Sequence, residues 1–487
     1  MNKINESIKE FELDNYLYNH SNKLSLSMSG ALDSITRFEM LCYKVKNYLD
    51  EEWDKEENKN NQEIIVERQK KAILGYPKET NYYKDKIREY LKDNKLESEF
   101  FPSWYDNLVN AIFNENWGLT GIEPWTRMKN STSAKIIGER IYFMSPTTGK
   151  MVLQPQKITK NRFEQLRRAF IMSDKSKRLD DNYSEVYMYT GERVIIYTGK
   201  LVANELNTIV FRKYVVDALT FEEQANRKTI PRDLITALEA IVKIGARIAF
   251  IGPVRSGKST MLTTFQMYED RSLEGLFIQT DPEIKINEIM PDAPIMSFIA
   301  EEKEISSLPA KIVRTDADYV VVAEGRDGYA YNLIVESANK GTIRNKTTLH
   351  LSDVEDFCYD IANKIITVYG GNLDYQIVKV AKSFDYIFEM IQLPGNKNEK
   401  RLKSIYELRY NYDTYQISYH RICQYFPETD SWRFYYTLGD KIKEIGKFEN
   451  PAALQILDNT LKKLAENAPM EEKVLTPVYT KIEVKQQ

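Results

Sequence analysis

Hydrophobic and polar positions change their spacing twice along the 487-residue chain, and these changes predict its domains. Apolar residues at positions 37–49 recur at helical spacing, and residues 82–96 form a second stretch of the same kind. The acidic, asparagine-rich run between them, residues 51–63, is typical of a solvated face or a loop. We therefore predict a helical accessory extension over residues 1–105.

A second texture begins near residue 102, where short β-rich runs replace the helical spacing. Runs at positions 139–144, 185–190, 193–198 and 208–214 predict strands, several of them separated by glycine-containing turns. Residues 162–170 have the spacing of a helix. These patterns predict a small mixed α/β domain over residues 106–218.

Beyond this domain the pattern alternates between strands and helices, which predicts an α/β domain over residues 219–440. It opens with an amphipathic helix at residues 231–243, where Pro231 and Asp233 occupy positions favoured at helix starts. Residues 441–487 are predicted to form a C-terminal helix and a tail. We expect the polar tail to be disordered from about residue 469 onward.

The strongest chemical signal is the loop Gly252–Thr260, GPVRSGKST, which matches the phosphate-loop motif G-x-x-x-x-G-K-[ST]. A buried strand is predicted before it, at residues 247–251, and a helix after it, at residues 259–268. Glycines let successive N–H groups turn toward phosphates, and the helix N-terminus adds partial positive charge. Lys258 is expected to reach the β- and γ-phosphates, and Ser259 to bind Mg²⁺. The predicted nucleotide-binding residues of the loop are Gly252, Arg255, Ser256, Gly257, Lys258, Ser259 and Thr260.

A second carboxylate site is predicted at Glu324, which ends the buried apolar run of residues 319–323. Ligands of open α/β sheets bind at the carboxyl ends of the strands. Because Ala323 precedes Glu324, a single carboxylate there must serve the metal, with Ser259 as the other predicted metal ligand. His350 is a further catalytic candidate, although a lone histidine is more often structural.

The composition limits the class of partner and the cellular compartment that we expect for this protein. Lys plus Arg number 68 and Asp plus Glu number 71, which argues against a surface devoted to nucleic acid. Cys42, Cys358 and Cys423 form no C-x-x-C pair and fit a reducing cytoplasm. No apolar run approaches the ~18 residues of a membrane span. Residues 1–14 have no apolar core of a signal peptide. We predict a cytoplasmic protein that docks on the inner face of the membrane.

Several stretches, taken in order over residues 115–435, resemble the secretion ATPase superfamily of type II and type IV secretion, conjugation and type IV pili. The closest resemblance is to the CpaF-type ATPases of tight-adherence pili and their conjugation relatives. The stretches that carry it, besides the phosphate loop, are residues 121–124 (GIEP), 191–194 (GERV), 211–213 (FRK), 318–326 (DYVVVAEGR), 346–350 (KTTLH), 383–391 and 404–408.

This resemblance implies a hexameric ring in which ATP binds between an N-terminal α/β domain and a C-terminal RecA-like domain. It implies that Arg193 and Arg212 approach the phosphates across that cleft and that His350 senses the nucleotide state. Arg326, at the end of the DYVVVAEGR stretch, is placed among the nucleotide-binding residues. The fold expected is therefore α/β, with a RecA-like P-loop NTPase domain behind a smaller α/β domain and a helical extension.

The sequence departs from the family in its acidic box, where Thr280 replaces the first glutamate. Asp281 fits the box and Glu283 lies one position from the expected place, so either could orient the attacking water. Before His350, Arg344 and Asn345 replace small residues. These departures leave ATP binding better supported than fast hydrolysis.

The function predicted from these features is an ATP-hydrolysing motor, with Mg²⁺ as its metal and a membrane platform protein as its partner. The alternative is a ring subunit that binds ATP, scarcely hydrolyses it and serves a structural or regulatory role. A nucleic-acid motor is a third interpretation, which the near-neutral charge and the lack of a helicase motif disfavour.

Overall fold

The computed structural model describes residues 28–54, 59–174, 177–213, 218–300, 304–306 and 317–477. The prediction for residues 1–14 and that for the end of the tail, residues 478–487, lie outside these ranges. The described residues divide into two compact units, with the boundary between residues 214 and 215. The further predicted boundaries at residues 105 and 440 stay predictions.

The first unit begins with helices that have their own core. Tyr83, which is fully buried, stacks on Trp117 with ring centroids 4.9 Å apart, and Val45 and Leu49 belong to the same cluster. For residues 51–63, predicted to form a solvated face or a loop, the loop alternative is wrong at 51–54 and 59–63, which are helical, and residues 55–58 lie outside the described ranges. The helices are α1 (Met28–Asp54), α2 (Lys59–Ile73), α3 (Pro77–Asp93) and α4 (Leu108–Trp117), followed by the short α5 (Glu123–Arg127).

An antiparallel sheet of six strands, in the order β3-β2-β1-β6-β5-β4, completes the first unit. Ile136, Phe170 and Phe211 lie in its core. The predicted strand over residues 185–190 starts and ends earlier, because Met188 to Gly191 form a turn, with φ +93° at Gly191. The elements are β1 (Ser133–Ile137), β2 (Arg140–Met144), β3 (Met151–Lys157), α6 (Lys160–Ile171), β4 (Tyr183–Tyr187), β5 (Arg193–Tyr197) and β6 (Thr208–Arg212).

The second unit contains a sheet in the order β15-β14-β13-β12-β7-β11-β10-β8-β9, in which β12 through β9 are parallel and β13 to β15 extend it antiparallel. The central strands read as continuous apolar runs because both faces are covered. The strands are β7 (Ile248–Ile251), β8 (Gly275–Gln279), β9 (Ile295–Ile299), β10 (Tyr319–Gly325), β11 (Lys346–Leu349), β12 (Tyr386–Leu393), β13 (Asn396–Tyr410), β14 (Ile417–Phe426), β15 (Ser431–Phe434) and β16 (Val474–Leu475).

Helices cover the parallel sheet on two sides and create two separate cores. One core contains side chains of α8, α9, α14 and α15, and the other contains side chains of α11, α12 and α13. The helices are α7 (Phe221–Asn226), α8 (Ile235–Lys243), α9 (Lys258–Met267), α10 (Ile286–Ile289), α11 (Gly328–Asn339), α12 (Phe357–Tyr369), α13 (Leu373–Ser383), α14 (Asp440–Glu449) and α15 (Pro451–Asn467).

The predicted α/β class, with a smaller mixed unit and a helical extension before a parallel-sheet unit, is confirmed. Strand β11 lies between β7 and β10, so the strand before the phosphate loop and the strand carrying Glu324 are separated by one strand. The predicted disorder from residue 469 is wrong as far as residue 477, because β16 pairs with Tyr419 and His420 of β14. No helix in the described ranges combines the length and the apolar character that crossing a membrane requires.

Candidate functional site

The phosphate loop connects β7 to α9 and has the backbone that its glycines allow. Gly252 has φ +140° and Gly257 has φ +92°, and Arg255 between them also has positive φ, +64°. A Cβ on Gly252 would lie 2.1 Å from the carbonyl oxygen of Met390, so a larger residue cannot replace this glycine without moving β12. Helix α9 begins at Lys258, and its N-terminus therefore faces the loop.

Lys258 is buried, and its contacts hold it across the loop. Its Nζ donates to the carbonyl oxygens of Gly252 (2.9 Å) and Pro253 (2.8 Å) and lies 3.2 Å from Nδ1 of His350. Burial lowers the pKa of its ammonium group to about 8, although the carboxylates of Glu324 and Glu283 act in the opposite direction. Lys258 is therefore a desolvated cation whose charge a bound anion would stabilise.

Three carboxylates meet beside the loop because β8 and β10 are parallel neighbours and end at the same edge of the sheet. Asp281 and Glu283 follow β8, and Glu324 lies near the end of β10. One carboxylate oxygen from each lies within 4.8 Å of the others. The sequence predicted each residue separately, and the structure brings all three together.

A cavity of about 10 Å³ lies between these carboxylates and the start of α9, close to the smallest volume that holds one water molecule or ion. Thr280 is among the residues that line it, and its buried hydroxyl makes no hydrogen bond. Carboxylate and hydroxyl oxygens are the ligands that Mg²⁺ prefers, so these residues fit that ion. The cavity is lined by Ser259, Gln279, Thr280, Asp281, Glu283, Ile284, Ala323 and Glu324.

Arg326 and His350 connect the carboxylates to Lys258. One Nη of Arg326 lies 2.7 Å from Asp281 and 2.7 Å from Glu324, and Nε2 of His350 lies 3.1 Å from Glu324. Burial opposes ionisation of Glu324, but the hydrogen bonds from His350 and Arg326 outweigh it and lower its pKa to about 2. Lys258, His350, Glu324, Arg326 and Asp281 thus form one continuous chain of contacts. Arg326, predicted among the nucleotide-binding residues, is held by two carboxylates.

The remaining predicted residues of the loop differ in how far they are exposed. Ser259 and Thr260 follow Lys258 in the first turn of α9 and are partly exposed, and Arg255 is exposed at the crown of the loop. Ser256 is fully buried, and its hydroxyl makes no hydrogen bond. The loop therefore carries backbone N–H groups, the exposed Arg255 and a Ser256 hydroxyl that can still form a hydrogen bond.

Arg193 and Arg212 lie in the first unit, directly opposite each other on β5 and β6. Arg193 forms an ion pair with Glu185, with its Nε 2.5 Å from the carboxylate. The structure brings the two arginines together on one sheet. Their predicted approach to the phosphates stays a prediction.

Sequence reasoning missed the hairpin of β12 and β13 as part of the site. Gln392 donates a hydrogen bond of 2.5 Å to the carbonyl oxygen of Arg255, and its Nε2 lies 3.3 Å from that of Val254. A Cβ on Gly257 would lie 3.5 Å from Cγ of Lys400. Lys400 belongs to a polar hairpin rich in lysine and asparagine, in which no local signal distinguishes it.

The residues that replace small ones before His350 have a structural role. Arg344, with φ +63°, lies 3.3 Å from Glu269 and 3.4 Å from Glu449. Asn345 is fully buried and accepts a hydrogen bond of 2.8 Å from the N–H of Val320. These side chains fix the start of β11, at the opposite end from His350.

No protein-family model matches the chain, and no curated protein matches its sequence. Its structure is similar to that of the VirB11 ATPase from the Brucella suis type IV secretion system, at 15% identity over 59% of this chain and 95% of that one, with TM-score 0.32. It is similar to the Legionella pneumophila ATPase DotB at 15% identity over 70% and 86% of the two chains, with TM-score 0.42. It is similar to the pilus retraction motor PilT with bound ADP at 14% identity over 72% of this chain and 94% of that one, with TM-score 0.45.

These similarities are distant, and the predicted closer relation to CpaF-type ATPases stays a prediction.

Proposed function

We propose that this chain is a Mg²⁺-dependent ATPase that hydrolyses ATP to ADP and phosphate and drives a pilus or type IV secretion machine. The observation that carries the proposal is the continuous contact from Lys258 of the phosphate loop through His350 to Glu324. That contact joins a phosphate-binding cation to a group of three carboxylates able to hold a metal. A site with only one of these two parts would bind an anion or a cation but could not position both for phosphoryl transfer.

The residues divide the work as follows. N–H groups of the loop and the start of α9 bind the phosphates, and Lys258 exchanges the carbonyl oxygens of Gly252 and Pro253 for phosphate oxygens. Ser259 and Glu324 would hold the Mg²⁺, which neutralises charge that develops on the β- and γ-phosphates. Asp281 or Glu283 accepts a hydrogen bond from the attacking water and orients it in line.

His350 contacts both Lys258 and Glu324, so movement of either on nucleotide binding changes its hydrogen bonds. It is therefore positioned to report the nucleotide state along β11. Arg193 and Arg212 would supply further positive charge to the phosphates. Closing the space around ATP would exclude water and convert binding into motion.

The finer assignment rests on the resemblance over residues 115–435. It supports a homo-hexameric ring at the cytoplasmic face of the membrane that acts on a platform protein. The machine in which the ring works determines whether pilin, secreted protein or DNA is moved.

Arg326 favours a second candidate function, that of a subunit that binds ATP and hydrolyses it slowly. Its guanidinium is shared by Asp281 and Glu324, and Thr280 replaces the first glutamate of the acidic box. A carboxylate that is already ion-paired orients a water less well than a free one. Such a subunit would scaffold its partner and would change shape only with nucleotide exchange.

The deciding experiment measures ATP binding and phosphate release separately, with the full chain and Mg²⁺. The motor function predicts both for the wild type, and loss of both for Lys258→Ala, with ATP affinity about 100-fold lower. Glu288→Gln, a change at an exposed carboxylate on α10, is the matched control and should behave as wild type.

Tight binding without phosphate release would favour the second candidate function. Absence of ATP binding by the wild type would contradict both. Native mass spectrometry with ADP should show a six-subunit species, and a strictly monomeric protein would contradict the ring.

A further inference from the structure

The hairpin of β12 and β13 packs directly on the phosphate loop at two points. The carbonyl oxygen of Met390 closes the space beside Gly252, and the side chain of Gln392 hydrogen-bonds to carbonyl oxygens at the crown of the loop. These contacts fix the hairpin relative to the residues that would bind phosphates.

Lys400 extends from this hairpin toward the same loop. It pairs with Gln392 across the two strands, so both side chains lie on the same face of the sheet. Gln392 reaches the loop from that face, and the stem of Lys400 lies against Gly257, with Cγ 3.5 Å from the position of a Cβ there. Glu399, its neighbour in sequence, forms an ion pair with Arg401. The ammonium group of Lys400 is three bonds beyond Cγ and therefore lies within reach of groups bound at the loop.

The surroundings of Lys400 are unfavourable for a positive charge. Burial lowers its pKa to about 8, and the like charge of Arg255 contributes in the same direction. A third cation thus lies beside a loop that already carries Lys258 and Arg255. A polyanion bound at this point would offset the repulsion between these cations and would stabilise their protonated forms.

We propose that Lys400 is a further phosphate-binding cation of the nucleotide site, which contacts the α- and β-phosphates from the hairpin side of the loop. The assignment to these phosphates follows from Gly257, since the backbone N–H groups of this part of a phosphate loop cradle the α- and β-phosphates. The proposal rests on the proposed function and adds a residue that no motif identifies. It predicts that ATP and ADP both lose affinity when Lys400 is removed, because both carry these two phosphates.

The test compares Lys400→Met, Lys400→Arg and Lys463→Met with wild type in binding of ADP, a non-hydrolysable ATP analogue and adenosine. Lys463 is an exposed residue of α15, and its replacement removes the same charge at a distant site. Lys400→Met should weaken ADP and ATP-analogue binding by ~10-fold or more, as loss of a charge-assisted hydrogen bond requires. Lys400→Arg should restore most of that affinity, while adenosine binding and Lys463→Met should stay at wild-type values.

Steady-state kinetics give an independent readout. Contacts to the α- and β-phosphates are present both before and during the reaction, so Lys400→Met should raise KM and leave kcat within about 2-fold. Unchanged ADP affinity in Lys400→Met, or an equal loss for adenosine, would overturn the proposal, while the Lys258→Ala result would still decide the proposed function.

Chemical labelling of the wild-type protein tests the same contact without requiring that a variant folds. A lysine with a lowered pKa reacts readily with an amine-acylating reagent near pH 8, and peptide mass spectrometry locates the product. ADP should protect Lys400 and leave Lys463 labelled as before. Equal labelling of Lys400 with and without saturating ADP would contradict the proposed contact.

Discussion

Both edges of the parallel sheet in the second unit contain buried charges, but the two edges differ in how completely protein groups surround these charges. At the amino edge, before β7 and β12, Asp385 is fully buried and accepts hydrogen bonds from the backbone N–H and the guanidinium of Arg247, at 2.8 to 3.0 Å. Lys441 of α14 adds an ion pair of 2.7 Å. Burial opposes the charge of Asp385, yet its two cations outweigh burial and hold its pKa well below the usual range.

The start of β11 belongs to the same closed edge. Lys346 is fully buried and contacts Glu269 at 2.7 Å, Gln266 at 3.2 Å and the carbonyl oxygen of Arg344 at 3.1 Å. Its ammonium group thus finds an acceptor for each of its protons. These charges are fully satisfied by protein groups.

At the carboxyl edge, where Lys258 meets the carboxylates, some buried polar groups have no hydrogen bond. The hydroxyls of Ser256 and Thr280 are buried without a hydrogen bond, and the small cavity lies between the acids. The comparison teaches that buried charge alone does not identify a functional site. Buried hydroxyls without a hydrogen bond occur at both edges, because Tyr386 beside Asp385 also makes none. The feature that distinguishes the carboxyl edge is the small cavity lined by Asp281, Glu283 and Glu324.

The largest expected effect is on the amino edge, where Asp385→Ala should lower the free energy of unfolding by ~3–5 kcal/mol. The change leaves the buried Arg247 and the partly exposed Lys441 without their anion. Chemical denaturation measures the loss, and Asp413→Ala, in an exposed turn, is the control. ATP affinity of the protein that remains folded should be unchanged.

A loss of stability below 1 kcal/mol would show that the amino edge is not the more tightly bonded of the two. A parallel loss of ATP affinity would show that the two edges are coupled.

The two edges also differ in how far their residues could be predicted. Lys258, Ser259 and Glu324 follow from local patterns, because a motif fixes the spacing of residues around one strand end. The pairing of Arg326 with Asp281 depends on which strands are neighbours, and the order of β8, β10 and β11 is a property of the tertiary fold. Local spacing contains no information about that order.

The contacts of the amino edge could not be predicted for the same reason. Arg247 and Asp385 are 138 positions apart, and β7 and β12 pair directly. Lys400 and Gln392 were missed because a long-range hairpin brings them to the loop. The α/β class was predictable because burial on both faces gives β7 and β10 their continuous apolar runs, whereas pairing of Val474 and Leu475 with β14 left no such signal.

The next effect in size is on the carboxyl edge, where Glu324→Gln should lower turnover by ~100-fold. The amide keeps the shape of the side chain but removes the charge that would hold the metal. Stability should change little, in contrast with Asp385→Ala. Phosphate release at saturating ATP measures the effect, and Glu288→Gln on α10 is again the control.

Turnover within 3-fold of wild type would remove Glu324 from the metal site and leave Asp281 and Glu283 to hold the ion. Loss of stability as large as that of Asp385→Ala would erase the distinction between the edges.

The smallest expected effect is the pH dependence of ATP binding. Lys258 and Lys400 both have a pKa lowered to about 8, burial being the main cause in each case. Phosphates favour the protonated amines and raise both pKa values in the complex. The contribution of these charges to ATP binding is therefore complete well below about pH 8, the pKa of both lysines in the free protein, and is lost as the pH rises from there through their raised pKa values in the complex. Each lysine should contribute a fall of at most ~10-fold in ATP affinity between about pH 7 and about pH 9, while adenosine affinity stays level. Lys400→Met should flatten this dependence in part. A profile as steep in Lys400→Met as in wild type would assign the whole effect to Lys258.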